Sequence, residues 1–336
     1  MKHSLVTGGA GFIGSHLTEV LLARGDRVSV VDDESTGSID NLAAVIDHPN
    51  LNYTKDSVAD EQIVRQMLTN VDEVYHMAAA VGVQLIAQSP IHTIETNIYP
   101  TELILRYLDE ERAKGRTVKL FLASTSEVFG KNPKERWDED DSLVYGPTTR
   151  GRWAYGTSKA IDEFLALAYW RERKLPVVVG RMYNVIGPRQ KGAYGMVVPR
   201  FVDAALAGEP LVVHDDGQQV RCFAHVSDVV RAIVALMQPD VAIGQVFNIG
   251  SDYAVSILDL AKRVTAAVDP TLPIEFISYA EAYSEDFEDC RHRLPDLTRI
   301  RKTIDFQINY ELDDIIREVI DWKRQQKKTE AEKNAS

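Results

Sequence analysis

Three clusters in the chain carry groups that handle protons or phosphate. At residues 124–130 the chain reads STSEVFG, so the apolar run VKLFLA ends in Thr125, Ser126 and Glu127. A strand that only packs closes on Gly, Asn or Asp turn chemistry, whereas two hydroxyls and a carboxylate form a proton-handling end. In RWAYGTSKAIDEFLALAY, Tyr155 and Lys159 stand four residues apart, on one face of a helix. An ammonium beside a phenol favours the phenolate and turns an inert hydroxyl into a base usable near neutral pH. The same spacing is common on amphipathic helices that do no chemistry, so the pair does not decide alone.

The third cluster is Gly8, Gly11 and Gly14, spaced G-x-x-G-x-x-G between the strand-like SLVTG and the helical HLTEVLLARG. In that context backbone amides at a helix amino terminus meet a pyrophosphate. The next strand, RVSVV, ends at Asp32, where a carboxylate accepts both ribose hydroxyls and repels a 2′-phosphate. NAD is therefore the expected cofactor, ahead of NADP. Asp56, after the third strand, is placed to reach the adenine side, and a surface carboxylate explains it almost as well.

The elements that must hold these groups follow from hydrophobic pattern. SLVTG, RVSVVDD, LNYTKD, EVYHMAA, KLFLAST and VVVGRMY read as strands, separated by helical stretches in which Leu17, Leu21 and Leu22 follow a 3.6-residue spacing and Gly25 stops the helix. That alternation predicts an α/β fold, a Rossmann-like doubly wound parallel sheet that binds ligands at the carboxyl ends of its strands. Beyond residue 180 the pattern loosens into Pro- and Gly-rich segments, with a strand returning at QVFNIG. We expect an NAD-binding domain over 1–182 and 223–258, and a smaller interleaved substrate domain over 183–222 and 259–325. The polar tail at 326–336 is expected to be disordered.

Composition excludes whole classes of partner. The 336 residues carry 38 Lys and Arg against 50 Asp and Glu, a net charge of -12, which argues against nucleic acid and anionic membranes. Lys2 and the apolar start imitate a secretion signal, but glycines interrupt it by Gly8. No apolar run approaches the ~20 residues of a membrane span. Cys222 and Cys290 form no CxxC and are expected to be free thiols in a reducing cytoplasm. No metal site is expected.

TGGAGFIG at 7–14, Asp32, HMAA at 76–79, Asn97, STSE, Tyr155-x-x-x-Lys159, RMYNVIGPR at 181–189, RCFAHVSDV at 221–229 and FNIG at 247–250 together resemble the extended short-chain dehydrogenase/reductases. The likeness covers nearly the whole chain and points to enzymes that oxidise a nucleotide-sugar at C4 with bound NAD. It implies that Tyr155 takes the 4-hydroxyl proton, Lys159 holds the nicotinamide ribose and biases Tyr155, and Thr125 hydrogen-bonds the sugar oxygen. Phe12, Ile13, Ala78 and Asn97 join the glycines, Asp32 and Asp56 around the cofactor. Asn184, Arg189 and Arg221 fall to the nucleotide diphosphate, and a homodimer forms through helices containing 97–114 and 155–172.

The resemblance also narrows the reaction. Simple 4-epimerases of this family read Ser-Ser or Ser-Ala where Ser126 and Glu127 stand. Glucose-type 4,6-dehydratases read Thr-Asp-Glu, with Asp as the acid for the leaving 6-hydroxyl, and Ser126 is a poor replacement. GDP-mannose dehydratases carry Thr-Ser-Glu but differ at the glycine turn and the RCF segment. Thr-Ser-Glu also resembles the UDP-glucuronate decarboxylases, and EDCRHRLPDLTRIRK resembles their late arginine segment. That places Arg293 at the sugar carboxylate, with Arg291 as its competitor. The expected function is thus UDP-glucuronate decarboxylation, with 4-epimerisation of a UDP-sugar, 4,6-dehydration and an idle NAD-binding sensor or scaffold as alternatives. The loop with Val81, Gly82 and Val83 adjoins the sugar, and the insert at 132–153 reads as a lid or as a solvated loop.

Overall fold

The computed structural model describes residues 1–80, 89–192, 196–282 and 288–334. Val81, Gly82 and Val83 lie outside these residues. The β-branched runs form β1 (His3–Thr7), β2 (Arg27–Asp32), β3 (Leu51–Lys55), β4 (Glu73–His76), β5 (Lys119–Thr125) and β6 (Val177–Met182), followed by β7 (Val220–Arg221), β8 (Val246–Ile249) and β9 (His292–Arg293). Among the described residues seven strands pair in parallel in the order β8-β6-β5-β4-β1-β2-β3. Strand order reverses at β1, so a crevice opens above the carboxyl ends of β1 and β4.

The longer helices are α1 (Phe12–Ala23), α2 (Glu61–Met67), α3 (Pro90–Ala113), α4 (Ala154–Arg173), α5 (Val197–Ala207), α6 (Val226–Leu236), α7 (Ile257–Val268) and α8 (Leu312–Asn334). Both sheet faces are covered, as a parallel sheet requires. Leu17 and Leu21 of α1 join Val229 and Ile233 of α6 over Val6, Val28 and Val30. On the other face Ile104 and Leu108 of α3 and Ala166 of α4 cover Leu5, Leu120 and Val177. Gly25 follows α1 at φ +91°, the left-handed conformation that lets the chain turn into β2. A further packing centre joins α5, α7 and α8 through Phe201, Leu260, Ile316 and Val319.

Through the described part of the tail, expected as disordered, the chain continues as α8 to Asn334. Its Lys, Glu, Gln and Ala residues are strong helix formers that extend a helix already anchored by Ile316 and Val319. The first half of the insert at 132–153 is a loop whose Pro133, Lys134, Glu135 and Arg136 stay exposed but whose Trp137 and Glu139 are anchored in the core. Trp137 is fully buried between Phe129 and Tyr183, its amide donates to Leu294 O at 2.9 Å, and Asp296 N returns a bond to Trp137 O at 2.8 Å. The insert thereby fixes the strand that carries Arg293. That strand, β9, pairs in parallel with β7 and sets Arg293 opposite Arg221.

Candidate active site

A cavity of about 1110 Å³ lies over the carboxyl ends of β1, β4 and β5. At one end Gly8, Gly11 and Gly14 form its floor. A Cβ on Gly14 would stand 2.1 Å from Gly8 O, and Gly8, at φ +68°, would meet Ala78 at 2.8 Å. Only glycine lets this turn close against β4 and leaves backbone exposed to a ligand. The first turn of α1 holds no acidic side chain, and its Gly11 cap makes no side-chain hydrogen bond, so its free amides suit an anion.

Asp32 is nearly buried at the tip of β2, with Ala10 N donating to one oxygen at 2.9 Å and Glu34 N to the other at 2.8 Å. Those bonds aim the carboxylate into the cavity, where Phe12, Ile13, Asp56 and Ala78 also lie. The set fits a dinucleotide with unmodified ribose hydroxyls. Asp32→Ala is expected to narrow a preference for NAD over NADP, measured as the ratio of the two dissociation constants. Equal affinity of the native protein for both would contradict this assignment.

Farther along, Thr125, Ser126, Glu127 and Tyr155 line the cavity together. Thr125 Oγ1 accepts the Glu127 amide at 3.2 Å, capping the tight turn that ends β5 and turning Glu127 inward. Tyr155 comes from the first turn of α4. Its phenol is held above the ordinary tyrosine range, first by burial and then by the charge of Glu127, while the Thr125 hydroxyl acts the other way. The Lys159 ammonium is itself buried, does not line the cavity, and donates to Asp162 Oδ2 at 2.7 Å, so an adjacent carboxylate offsets its charge.

Beside this pair lies a cluster of arginines. Glu127 accepts from Arg152 Nη1 at 2.6 Å through one oxygen and from Arg293 Nη1 through the other. Asp289 pairs with Arg221 at 2.7 Å and lies 3.5 Å from Arg293 and 3.6 Å from Arg152. All five side chains line the cavity. Among the described residues three guanidiniums of this cluster face two carboxylates, in an otherwise acidic chain. Burial alone would raise Glu127, but Arg152 and Arg293 hold it down to about 2. It is a fixed anion, neither an acid nor an effective base near neutral pH.

The structure also separates the competing residues. Arg293 is buried in the cluster, whereas Arg291 is exposed and bound to Asp216 at 2.7 Å. Asn184 lines the cavity and donates to Cys222 O at 2.8 Å. Arg189 does not line it: its guanidinium is taken by Glu19 at 2.6 Å and Ser15 at 3.2 Å on α1. Asn97 stands behind the cavity, accepting from Ala80 N at 2.9 Å and donating to Ser158 Oγ at 3.1 Å, so it braces the loop after β4 from below. Cys222 and Cys290 are free and buried.

Sequence reading missed Arg152 and Asp289. Arg152 lies three residues before Tyr155 at a helix start, a spacing that already shares a face with the tyrosine. Asp289 had no local signal, because its partner arrives through the β7–β9 pairing. The far wall, with Arg200 bonded to His214 at 2.9 Å and Gln219 donating to Tyr279 Oη at 2.9 Å, was missed for the same reason. Among the described residues no His, Cys, Asp and Glu cluster could hold a metal ion, and no helix is long and apolar enough to cross a membrane.

Comparison with known proteins gives the family. The chain is 37% identical over 325 residues to a UDP-N-acetyl-α-D-glucosaminuronate decarboxylase of Bacillus cytotoxicus, covering 96% of this chain and 98% of that one. It is 34% identical to UDP-glucuronic acid decarboxylase 1 of Arabidopsis thaliana over 91% of this chain and 65% of the longer plant protein. A UDP-glucuronic acid 4-epimerase of Bacillus cereus, solved with UDP-glucuronic acid and NAD, superposes with a TM-score of 0.86 at 25% identity, over 96% of this chain and 99% of that one. Residues 5–319 match the family described as GDP-mannose 4,6 dehydratase. With the seven-stranded sheet, the glycine turn and the Tyr-x-x-x-Lys helix in place, the chain belongs to that family of extended short-chain dehydrogenase/reductases.

Proposed function

We propose that this chain is an NAD-dependent decarboxylase of a UDP-hexuronate, with UDP-glucuronate as the reference substrate. The observation that carries the reading is Glu127 clamped between Arg152 and Arg293 on the cavity wall. A 4,6-dehydratase needs a base to remove the C5 proton, and a carboxylate held near 2 is a poor one. Decarboxylation needs no such base. Once C4 is a ketone the substrate is a β-keto acid. The C5–C6 bond breaks, carbon dioxide leaves, and the electron pair moves into the C4 enolate until C5 takes a proton.

In this reading Tyr155 accepts the proton of the 4-hydroxyl and Thr125 hydrogen-bonds the same oxygen. NAD would bind in the glycine-floored half and supply the hydride acceptor for C4, and Lys159 would have to turn from Asp162 to reach its ribose. Arg293, with the Ser126 hydroxyl, orients the carboxylate while Glu127 holds Arg293 in place, and Arg221 and Asn184 hold the diphosphate. The relatives act on sugars with and without a 2-acetamido group, so mass spectrometry of both UDP-hexuronates incubated with enzyme and NAD tests the assignment. Loss of carbon dioxide supports it. Isomerisation alone, loss of water, or no turnover despite NAD binding points to the epimerase, the dehydratase or an idle binding protein.

The same reading includes a cytoplasmic homodimer. Ile91, Ile94 and Tyr99 on α3 and Ile161 and Phe164 on α4 are exposed apolar residues on two helices that pack side by side. Sedimentation at micromolar concentration is expected to give a dimer, and a monomer would count against it.

A further inference from the structure

Asp162 has no place in the roles given above, yet it is fully buried one turn from Lys159 on the same helix. Its Oδ2 accepts the Lys159 ammonium at 2.7 Å, while Oδ1 finds no hydrogen-bond donor among the described residues. The Thr101 hydroxyl of α3, which donates to Asn97 O at 2.9 Å, is the one other neighbour that bears on Asp162 as a hydrogen-bond partner among the described residues. A buried carboxylate satisfied on one side only is an expensive arrangement for packing alone. It makes the Lys159–Asp162 unit electrically neutral beside the phenol that must lose a proton.

We infer that Asp162 is a positioning residue that offsets the Lys159 ammonium and thereby sets the pH range in which Tyr155 acts as a base. The inference rests on the reading of Tyr155 as proton acceptor. Other charged groups facing this unit are already committed. From α4 itself, Glu163 is bound by Arg181 of β6 at 2.7 Å and accepts a hydrogen bond from the Ser124 hydroxyl of β5. Glu127, from the turn after β5, is clamped by Arg152 and Arg293. From β4, His76 is fixed between Thr7 at 2.7 Å and Thr101 at 3.2 Å and stays neutral, because burial and the Lys159 charge lower it to about 3. From α3 only the Thr101 hydroxyl bears on Asp162. Tyr155, Lys159 and Asp162 stand at i, i+4 and i+7 on one helix face, so the Lys159–Asp162 balance is the charge left to adjust on that face, and Asp162 adds to the rise of the phenol after burial and Glu127.

Removing the carboxylate charge frees the ammonium to act on the phenol. In Asp162→Asn the ionisation of Tyr155 is expected to fall by about one to two pH units, which is the usual effect of one nearby charge. The readout is the tyrosinate absorbance of the whole protein over pH, taken as the difference from Tyr155→Phe, together with the acid limb of the turnover profile. Both should move to lower pH by the same amount, and Asp162→Ser should reproduce the shift if the Asn variant folds poorly. A lowered melting temperature with no movement of either titration would make Asp162 merely structural and overturn the inference. Turnover retained by Tyr155→Phe would instead overturn the reading of Tyr155, so the two failures are distinguishable.

Discussion

Arg293→Ala should lose carbon dioxide release while keeping its hold on UDP. Arg293 is buried, reaches Glu127 and faces the cavity, and a guanidinium there can meet the C5 carboxylate with two parallel hydrogen bonds. Truncating one partner of a buried charge pair costs about 2–5 kcal/mol, roughly 30-fold or more in affinity or rate. The loss should fall on UDP-hexuronates and spare neutral UDP-hexoses, because only the former carry the carboxylate. Trace reduction of NAD without decarboxylation is the expected residual activity. Arg221, at 2.7 Å from Asp289, is the diphosphate partner in this account, so UDP affinity should change by no more than a few-fold. A large loss of UDP affinity in Arg293→Ala would move that arginine to the phosphates and remove the argument for a carboxylate site.

The larger effect is expected at Tyr155. Replacing it with Phe removes the one hydroxyl that lines the cavity from α4 beside Thr125, and loss of a positioned general base commonly lowers rate by about 10²–10⁴-fold. The ring stays and the glycine turn is untouched, so NAD should bind with native affinity and the melting temperature should hold. Single-turnover reduction of NAD by UDP-glucuronate is the measurement. Near-normal turnover would show that another group takes the 4-hydroxyl proton. The structure adds a requirement that sequence did not show, since burial and Glu127 hold this phenol above the ordinary range. Activity should therefore rise with pH through the neutral and mildly alkaline region.

What was legible in the sequence were features fixed by local chemistry. Strands announced by β-branched runs, the glycine turn, Asp32 and the Tyr-Lys helix all depend on spacing within one element or one strand–turn–helix unit. Thr125, Ser126 and Glu127 were visible because three polar groups at a strand end break the packing pattern. What was not legible depended on pairing between distant segments. Asp289 and Arg293 reach Arg221 and Glu127 only because β9 lies beside β7 and Trp137 pins the chain after it. Arg189 misled because its neighbours in sequence line the cavity, while its own φ of +73° turns it toward Glu19. The charge state of Tyr155 could not be read from the Tyr-Lys spacing either, because Asp162, one residue before Glu163, was silent in the pattern until its burial was known.

The most direct test of the central claim is turnover of UDP-glucuronate in deuterium oxide with NAD, followed by mass spectrometry of product and remaining substrate. Decarboxylation through a C4 ketone predicts a product lighter by carbon dioxide that carries one solvent deuteron at C5, and unreacted substrate with none, since Glu127 is not poised to exchange that proton. A product of unchanged mass, or one that has lost water with deuterium washed into the substrate, would contradict the account.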